Sequence, residues 1–568
     1  ATIAATMRLL PPSRASEPGG YDFSRDAFFA GVGAVGSVVS TPERVADAAA
    51  PWSARFNAWI DRGRNALTDR IVEVVGAGLA PGDGAVAAAL VTGKRGLIPE
   101  EASASLRAAG VYHVVSISGL HMVLAAGLFF WLARGALALV PGLALTRPIK
   151  AWAALVAMAG AIAYCVFSGS EVATERSLIM TLVMLGAIVV GRPAISMRNL
   201  AIAALIVLAR EPETLLGPSF QMSFAAVAGL TAAFERGPGR DDRPPDPQAR
   251  FGLWGRRLRL ILFATVISTL VASLATDPFA SFHFHRLTPY GLIGNALTLP
   301  LVEFVVMPAA LFGVVAAPFG LDAPVWTVMG WGVSGMMAVA RWVEAMPAST
   351  LHLKGFGAGA LLVMTLGVLW WSLWISALRW AGVCVFALGV ALAGQAPQPD
   401  LVVDAQARAM AVRGPDGRLQ IVNGRANAFG ASQWLLADGD RRDPRDPATA
   451  GATRCDGLGC IAPLPDGRTV AWIADRRAVI EDCARAAVVV SRLRLDGLCA
   501  GPDLVLDAAH FSVRGATSLS LAGGALRVAT DRPAGYDRPW APAPRLRAAP
   551  PLAPEPADPT DPSLYRPD

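Results

Sequence analysis

Charged side chains are scarce in this chain. Only 17% of its 568 residues are Asp, Glu, Lys or Arg, 54% are apolar, and the mean hydropathy is +0.45. A soluble domain of this length carries more charge, so the composition excludes a soluble globular class and indicates a membrane protein. The sequence also lacks a Walker A motif or other nucleotide-binding signature, so nothing in it encodes an ATP-driven motor.

Long apolar windows predict the membrane crossings. A crossing takes roughly 20 mostly apolar residues, and this criterion gives about ten windows. The fourth and fifth are short and bounded by Pro212 and Pro218, which allows a broken or re-entrant helix and leaves the count open by one or two. The windows are residues 113–133, 150–168, 175–191, 198–210, 219–234, 258–276, 289–316, 323–341, 356–377 and 379–395.

Basic residues predict the orientation, because short loops rich in Lys and Arg stay in the cytoplasm. Alternate loops differ sharply in these residues, and an even number of spans places both ends of the membrane block outside the cytoplasm. The outer loops contain Glu171, Glu175 and Arg176; Glu211 and Glu213; Asp277, His283, His285 and Arg286; and Lys354. The cytoplasmic loops contain Arg134, Arg147 and Lys150; Arg192 and Arg198; Arg236, Arg240, Arg243, Arg250, Arg256, Arg257 and Arg259; and Arg379.

Four of the six cysteines lie after the last apolar window, in a region predicted to face an oxidising compartment. Four cysteines allow three pairings, and the two glycines between Cys455 and Cys460 favour a loop closed by that pair, with Cys483 left for Cys499. A zinc site is the competing interpretation, but no Cys-x-x-Cys pair and a single histidine, His510, accompany them. Cys165 and Cys384 fall inside spans and are predicted to be packing residues.

The spacing of apolar side chains changes on either side of the apolar windows. Residues 56–75 carry apolar side chains at helical spacing, which predicts an amphipathic helix. The pattern of residues 410–422 predicts a strand, a Pro-Asp-Gly turn and a second strand. The predicted fold class is an all-α polytopic membrane bundle of about ten spans, followed by a small extracytoplasmic domain that is β-rich or α/β.

Four segments together resemble the ComEC family of competence proteins. They are HVVSISGLHM at 113–122, SGSEVATERSLIM at 168–180, PSFQMSFAA at 218–226 and FHFHRLTPYGLIGNALTLPLV at 282–302. The resemblance implies a multi-pass protein of the bacterial inner membrane that imports single-stranded DNA during natural transformation. It also implies a periplasmic DNA receptor and a cytoplasmic helicase-like motor as partners. Contact with membrane lipid is expected and no cofactor is predicted, whereas a homo-oligomer is left open.

The resemblance extends to both ends of the chain. GGYDFSRDAFFAGVGAVG at 19–36 is similar to the segment that closes the family's OB-like domain, so an N-terminal truncation is expected. The boundaries that follow are 1–40, the end of an extracytoplasmic OB-like domain; 41–112, amphipathic helices at the membrane surface; 113–396, the transmembrane competence domain; 397–535, an extracytoplasmic domain; and 536–568, a disordered tail rich in Pro and Ala.

In many family members the C-terminal domain resembles a metallo-hydrolase with a His-x-His-x-Asp-His motif. Residues 404–410 resemble the first strands of that domain, but His510 is the one histidine after His352. A two-metal site needs several converging His and Asp ligands. The domain is therefore expected to be a degenerate, non-catalytic relative, with any nuclease step falling to another protein, and the chain is not expected to be an enzyme.

Polar and aromatic residues within these segments are the candidates for a DNA path. His113 and His121 lie within about 80° of each other on one helix, where they either face a cavity or pack at an interface, and the run from Phe282 mixes aromatic with basic residues, as single-strand channels do. The candidates are His113, Ser116, Ser118, Gly119, His121, Gln221, Phe282, His283, Phe284, His285, Arg286, Tyr290 and Asn295.

Ionisable groups at the start of the third window form a candidate polar entrance. Glu171 and Glu175 lie one turn apart and are expected to bind an arginine such as Arg176, because carboxylates repel phosphate. His283 and His285 with Asp277 offer a metal site as an alternative, although a structural role at the interface is favoured and no metal is predicted.

Two other functions remain open at this point. An intramembrane hydrolase would use Ser116 or Ser118 as nucleophile and His121 as base, although no third orienting group is evident. A small-molecule exporter would also fit ten spans with breaks at Pro300 and Pro308, although the internal inverted repeats typical of such proteins are not evident.

The predicted orientation is tested with reporter fusions. We expect a reporter that is active in the cytoplasm to work after residue 245, and a reporter that is active in the periplasm to work after residues 280 and 400. If the fusions at 245 and 400 report the same side, the span count or the charge assignment is wrong.

Overall fold

The computed structural model describes residues 2–45, 51–80, 82–234, 253–495 and 497–542. The helices are α1 Phe23–Phe29, α2 Trp52–Gly76, α3 Asp83–Thr92, α4 Glu100–Ala108, α5 Tyr112–Val115, α6 Gly119–Ala138, α7 Pro141–Thr146, α8 Ile149–Ser168, α9 Val172–Val189, α10 Met197–Arg210, α11 Pro218–Phe234, α12 Leu253–Phe284, α13 Gly291–Leu301, α14 Met307–Ala316, α15 Ala323–Glu344, α16 Ala358–Leu373, α17 Ala381–Gly394, α18 Ala428–Ala437, α19 Val479–Arg485 and α20 Ala508–Arg514. The strands are β1 Thr2–Ala4, β2 Met7–Leu10, β3 Val35–Val38, β4 Glu43–Val45, β5 Arg286–Leu287, β6 Leu351–His352, β7 Leu401–Val403, β8 Met410–Arg413, β9 Leu419–Val422, β10 Arg454–Cys455, β11 Gly459–Pro463, β12 Thr469–Ile473, β13 Val488–Ser491, β14 Leu504–Leu506, β15 Thr517–Ala522 and β16 Ala525–Thr530.

Two compact units make up the chain. The first contains residues 44–397 and 436–440, and the second contains residues 3–43, 398–435 and 441 onward. The predicted fold class is confirmed, because the first unit is a helical bundle with membrane-spanning helices and the second contains two β-sheets. The predicted disordered tail lies mostly outside the described residues, as does most of the arginine-rich segment before α12.

Within the described ranges, seven segments are long and apolar enough to cross a membrane. Each of the ten predicted windows contains a helix, but the described parts of α10, α11 and α16 have 14, 17 and 16 residues, so seven of the ten windows meet this criterion within the described residues. The seven are Gly119–Ala138, Ile149–Ser168, Val172–Val189, Phe263–Phe284, Gly291–Phe319, Ala323–Glu344 and Ala377–Gly394.

Helix α3 lies at the centre of the helical unit. All ten of its residues are buried, and they pack with Ile71 of α2 and with Trp326 and Met336 of α15 in one hydrophobic cluster. The predicted amphipathic helix is confirmed in α2, but α3 differs from that prediction because protein surrounds it on every side. A ten-residue helix without a polar face is stable only in such a setting.

Arg64 of α2 connects the ends of two neighbouring helices. Its guanidinium donates to the carbonyl of Thr92 at 2.7 Å and to the carbonyl of Ser168 at 3.2 Å. Both carbonyls belong to the last turns of their helices, α3 and α8, where the helix itself provides no donor. The arginine therefore satisfies buried acceptors and fixes α2 against the start of the segment that carries Glu171.

Glycines hold α16 and α17 in close contact. A methyl group on Gly367 would lie 2.6 Å from the backbone nitrogen of Phe386, and one on Gly382 would lie 2.7 Å from the carbonyl oxygen of Gly367. Small residues allow such an approach of helix backbones, which is a principal source of helix association in membranes.

This contact gives a stability test within one helix. We expect Gly367→Ala to lower the free energy of unfolding by about 1–3 kcal/mol, because the methyl group overlaps the backbone of α17. Gly359→Ala is the matched control, since Gly359 lies in the same helix with no atom within 4 Å of an added methyl group, and alanine favours helix formation. Thermal unfolding in detergent measures both, and equal stability of the two variants would contradict the predicted contact.

The second unit contains two five-stranded sheets, ordered β16-β15-β7-β8-β9 and β10-β11-β12-β13-β14. Val403 and Val412 from the first sheet share a hydrophobic cluster with Val470 and Val490 from the second, so the two sheets face each other. The outer faces pack against α18 and α19, which gives four layers in the order α/β/β/α. The predicted hairpin is confirmed by the antiparallel pairing of β8 with β9.

The cysteines of the second unit form two pairs. Cys455 is bonded to Cys460 and Cys483 to Cys499, which is the pairing that the spacing favours. The first disulfide joins directly opposed residues of β10 and β11. Cys165 is buried as predicted, but Cys384 lies on an exposed face of α17, so its predicted role in protein packing is wrong and lipid would surround it.

Candidate functional site

The first predicted span is broken near its start. α5 ends at Val115, Ser116 and Ser118 adopt extended backbone conformations, and α6 begins at Gly119. The prediction that one helix carries both His113 and His121 is therefore wrong. Serine favours such breaks, because its hydroxyl competes with the helix for backbone hydrogen bonds.

Ser118 and His121 stabilise the new helix start. The N–H of Ser118 donates to Nδ1 of His121 at 3.3 Å, and the Ser118 hydroxyl lies 3.2 Å from the same nitrogen. Together they form a capping box in which histidine replaces the usual glutamate. Because Nδ1 accepts, the neutral ring carries its proton on Nε2. That nitrogen is buried and has no hydrogen-bond partner among the described residues.

The first turn of α9 packs against this break. Thr174 donates its hydroxyl to the carbonyl of Ile117 at 3.4 Å, and a methyl group on Gly119 would lie 3.8 Å from the Ser177 hydroxyl. The segments 113–122 and 168–180 therefore meet at one place. Thr174 and Ser177 were not among the predicted site residues, although they lie beside Glu175 and Arg176 within the segment that carries the resemblance.

Each acidic residue binds an arginine, as predicted, but neither binds Arg176. Glu171 binds Arg95 and Glu175 binds Arg210, each at 2.8 Å. Adjacent residues on a helix face different directions, so Arg176 points into the bundle, where its side chain is 3% exposed. Its Nε and Nη1 atoms have no hydrogen-bond partner in the described part of the chain.

A small cavity lies beside Arg176. It measures about 10 Å³ and is lined by ionisable and aliphatic side chains of α9 and of the end of α10, the ionisable ones being Glu175, Arg176, Arg210 and Glu211. That volume holds roughly one water molecule. The sequence-predicted polar entrance is therefore a network of ionisable groups around a water-sized space.

The segments 218–226 and 282–302 meet through a side-chain pair. Nε2 of His283 lies 2.8 Å from Oε1 of Gln221, so His283 donates from Nε2. Phe282 packs edge-on against Phe356, with ring centroids 5.6 Å apart. Phe284 is 51% exposed. His283 and Gln221 are thus in contact, and Phe356, which was not among the predicted site residues, is an aromatic neighbour of Phe282.

His285 ends α12 in a left-handed conformation, with φ 53°. Its carbonyl accepts from the N–H of Leu353 at 3.0 Å, and the next residue, Arg286, pairs with His352 in a short antiparallel ladder. Burial lowers the pKa of His285, so the ring is neutral at pH 7 and does not itself attract phosphate. Burial and then repulsion from Arg107 lower the pKa of Arg286.

The start of α13 packs closely against the loop before the first span. Gly110 has φ 71°, and a methyl group there would lie 3.0 Å from the Cα of Gly291. Gly110 also accepts from Nδ1 of His113 at 3.2 Å, so the segments 113–122 and 282–302 are adjacent. Tyr290 donates to the carbonyl of Pro347 at 3.1 Å.

Two residues near the start of α13, Arg107 and Asn295, add to the sequence prediction. Arg107 was not among the predicted site residues, and its guanidinium stacks over the ring of Tyr112 at 4.9 Å. The sequence feature that could have indicated Arg107 is its position six residues before His113. Asn295 donates to the carbonyl of Gly291 at 2.8 Å, whereas its own carbonyl oxygen is buried without a partner among the described residues.

Comparisons with known proteins identify the family to which these segments belong. The family model described as Competence protein matches residues 90–378, about half of the chain, and that range includes all four segments. The chain belongs to the competence protein family. No solved structure matches it.

Three relatives show the same similarity. The chain is 32% identical over 271 residues to Competence protein ComA of Neisseria gonorrhoeae, covering 44% of this chain and 38% of that protein. It is 25% identical over 259 residues to ComE operon protein 3 of Bacillus subtilis, covering 45% and 30%, and 25% identical over 285 residues to Recombination protein 2 of Haemophilus influenzae, covering 49% and 34%. The matched part thus spans about a third of each relative.

The geometry of this competence protein can be compared with two alternatives, a hydrolase site at Ser118 and His121 and a metal site at His283. Ser118 and His121 are in contact, but no described carboxylate binds Nε2 of His121 and orients the ring, as a hydrolase of this type requires. Among the described residues, no three His, Cys, Asp or Glu side chains lie close enough to hold a metal ion. His283 pairs with Gln221 instead.

The capping box provides a test of the broken span. We expect Ser118→Ala to lower the free energy of unfolding by about 1 kcal/mol, because the helix loses its capping hydroxyl, whereas Ser118→Thr retains most of the stability. Ser116→Ala is the control, since it removes the same hydroxyl two residues earlier. Thermal unfolding of the detergent-solubilised protein measures all three, and equal losses for Ser116→Ala and Ser118→Ala would refute the capping role.

Proposed function

We propose that this chain forms the path by which single-stranded DNA crosses the bacterial inner membrane during natural transformation. The observation that carries the proposal is the meeting of polar residues at the broken start of α6, where His121 is buried with Nε2 unbonded to any described residue. Membership of the competence protein family supplies the biological setting.

Unbonded polar atoms in the helical unit support a hydrated path. Nε2 of His121, Nε and Nη1 of Arg176 and the carbonyl oxygen of Asn295 are all buried and lack partners among the described residues. Leaving such groups dry in lipid is unfavourable by several kcal/mol each. Water satisfies them, and ionisable groups at membrane depth commonly line water-filled routes. A polyanion needs such a route.

Charge near the start of α13 supports an anionic substrate. Arg286 and Arg107 are close enough for their charges to repel, and the carboxylate of Glu100, which pairs with Arg107, offsets one of the two positive charges. A phosphate would offset the other. The aromatic rings of Phe282 and Tyr290 lie in the same segment as Arg286, and Phe356 packs against Phe282. Basic groups interleaved with aromatic rings suit single-stranded DNA, because each base offers a face for stacking.

The remaining parts of the import process are assigned to partners. A periplasmic receptor would deliver DNA, a cytoplasmic helicase-like motor would pull the strand, and lipid would surround the bundle. We propose that the C-terminal domain has no nuclease activity, since His510 pairs with Thr517 at 3.0 Å and no described metal cluster accompanies it. A homo-oligomer is compatible with this scheme.

Replacement of His121 tests the proposal in the complete protein. We expect His121→Leu to reduce transformation by at least about tenfold, because loss of the imidazole removes about 1.4 kcal/mol or more of favourable contact at the path. Binding of DNA at the cell surface should remain, because the lesion affects transfer. Transformation frequency and membrane protein level are measured together.

Two further variants separate transport from folding. Cys165→Ala should transform normally, because Cys165 is a buried packing residue. His121→Asn retains an acceptor near the Ser118 N–H and should keep the protein folded while still impairing transport. Normal transformation by His121→Leu protein at normal membrane level would refute the assignment of His121 to the path.

A further inference from the structure

A groove in the second unit has no assigned role. It has a volume of about 370 Å³ and is lined by Arg8, Leu10, Val35, Gly36, Ser37 and Arg408. β2 and β3 pair antiparallel, with Arg8 opposite Ser37 and Leu10 opposite Val35. Because side chains alternate along a strand, these four lie on one face of the ladder. The wall of the groove thus combines a cation, a hydroxyl and two aliphatic side chains.

Arg408 contributes the second cation from a fixed loop between β7 and β8. The carboxylate of Asp404 accepts from the N–H of Arg408 at 2.6 Å and from the N–H of Ala409 at 3.2 Å. Asn423 donates to the carbonyl of Arg408 at 2.8 Å, and the indole of Trp472 donates to the carbonyl of Ala407 at 3.0 Å. The backbone is therefore held on both sides, so little ordering is required for the guanidinium to bind a ligand.

Positive charge predominates in the groove. Among the described residues, no acidic side chain lines it, and neither the guanidinium of Arg8 nor that of Arg408 makes a direct hydrogen bond or ion pair, although the nearby carboxylate of Asp404 attracts Arg408. Two guanidinium groups that face one space without a direct partner there indicate an anionic ligand, and the planar donor fork of arginine suits phosphate oxygens. The serine hydroxyl adds a further donor.

The other lining residues narrow the ligand class. Among the residues that the structure describes, no aromatic side chain lines the groove, so these residues offer bases no stacking surface, whereas Leu10 and Val35 offer apolar contact to deoxyribose. The volume lies near the lower end of the roughly 300–1,000 Å³ typical of small-ligand sites. A few sugar-phosphate units fit such a space, but a folded partner does not.

We propose that this groove binds the sugar-phosphate backbone of single-stranded DNA without regard to sequence. The inference rests on the proposed import of single-stranded DNA and adds a contact site outside the helical unit. Arg8 and Arg408 bind phosphate oxygens, Ser37 donates a hydrogen bond, and the aliphatic pair contacts the sugars.

The test measures binding of a labelled 20-nucleotide oligothymidine to the full chain in detergent by fluorescence anisotropy, over a series of salt concentrations. In the double variant Arg8→Gln with Arg408→Gln, the affinity should fall on the order of tenfold. The slope of log affinity against log salt should fall in magnitude by about 1.4, since each lost phosphate contact on a single strand removes about 0.7.

A matched control removes the same charge elsewhere in the same unit. Arg477 and Arg485 are exposed and bind Asp475 and Glu481, so Arg477→Gln with Arg485→Gln should leave the affinity and the salt slope near the wild-type values. Equal loss in both double variants would overturn the site, because net charge alone would explain it. An unchanged salt slope in the groove variant would also overturn it.

Competitors identify the chemistry that is bound. An abasic deoxyribose-phosphate oligomer of the same length should displace the labelled strand from the wild type, and a duplex of that length should compete less well. Vesicles containing anionic phospholipid should not compete better than neutral vesicles. Failure of the abasic oligomer, or stronger competition by the duplex or the anionic vesicles, would contradict the proposal.

Transformation assays distinguish this inference from the proposed function. If the wild type imports DNA and the groove variant binds oligothymidine normally, the groove proposal fails and the proposed function stands. If the groove variant loses binding as predicted but the wild type supports no import in a transformable host, the groove stands and the proposed function fails.

Discussion

The unwound turn at Ser116–Ser118 imposes the main constraint on the candidate site. An interrupted helix leaves backbone donors and acceptors unpaired, and lipid cannot satisfy them. Thr174 satisfies the carbonyl of Ile117 and His121 satisfies the N–H of Ser118. The polar first turn of α9 and the buried histidine are thus required wherever this turn lies against a membrane. The same requirement places buried polar atoms at this break, including Nε2 of His121, which has no hydrogen-bond partner among the described residues.

Close helix approach is the second feature on which the arrangement depends. Gly110 contacts Gly291, and Gly367 contacts the backbone of α17, so two pairs of segments meet at distances that any larger residue would prevent. In a membrane the hydrophobic effect adds little to helix association, and backbone packing takes its place. The first contact sets His113 beside the start of α13. Packing and polar placement are therefore coupled, because the glycines determine which polar residues become neighbours.

The sequence predicted the elements better than their lengths or partners. Composition and apolar windows identified a polytopic bundle, and the spacing of Cys455 and Cys460 identified a disulfide that the structure contains. The helix break was not predicted, because apolar periodicity runs through Ser116 without a proline to mark it. The partners of Glu171 and Glu175 were also missed, since Arg95 and Arg210 lie 76 and 35 residues away, and no local pattern encodes such pairs. The placement of domain boundaries and DNA-path residues remains a prediction.

The charges of the candidate outer segment come from arginine and not from histidine. Burial keeps His285 neutral at pH 7, and Nε2 of His283 is engaged by Gln221, so these rings act as hydrogen-bonding groups. Arg286 and Arg107 supply fixed positive charge that does not vary over physiological pH. In the proposed function, a path built in this way would attract phosphate over the physiological pH range, and its affinity would depend on salt much more than on pH. Weakly held phosphates suit transport, because a strand that bound tightly at one point would not advance.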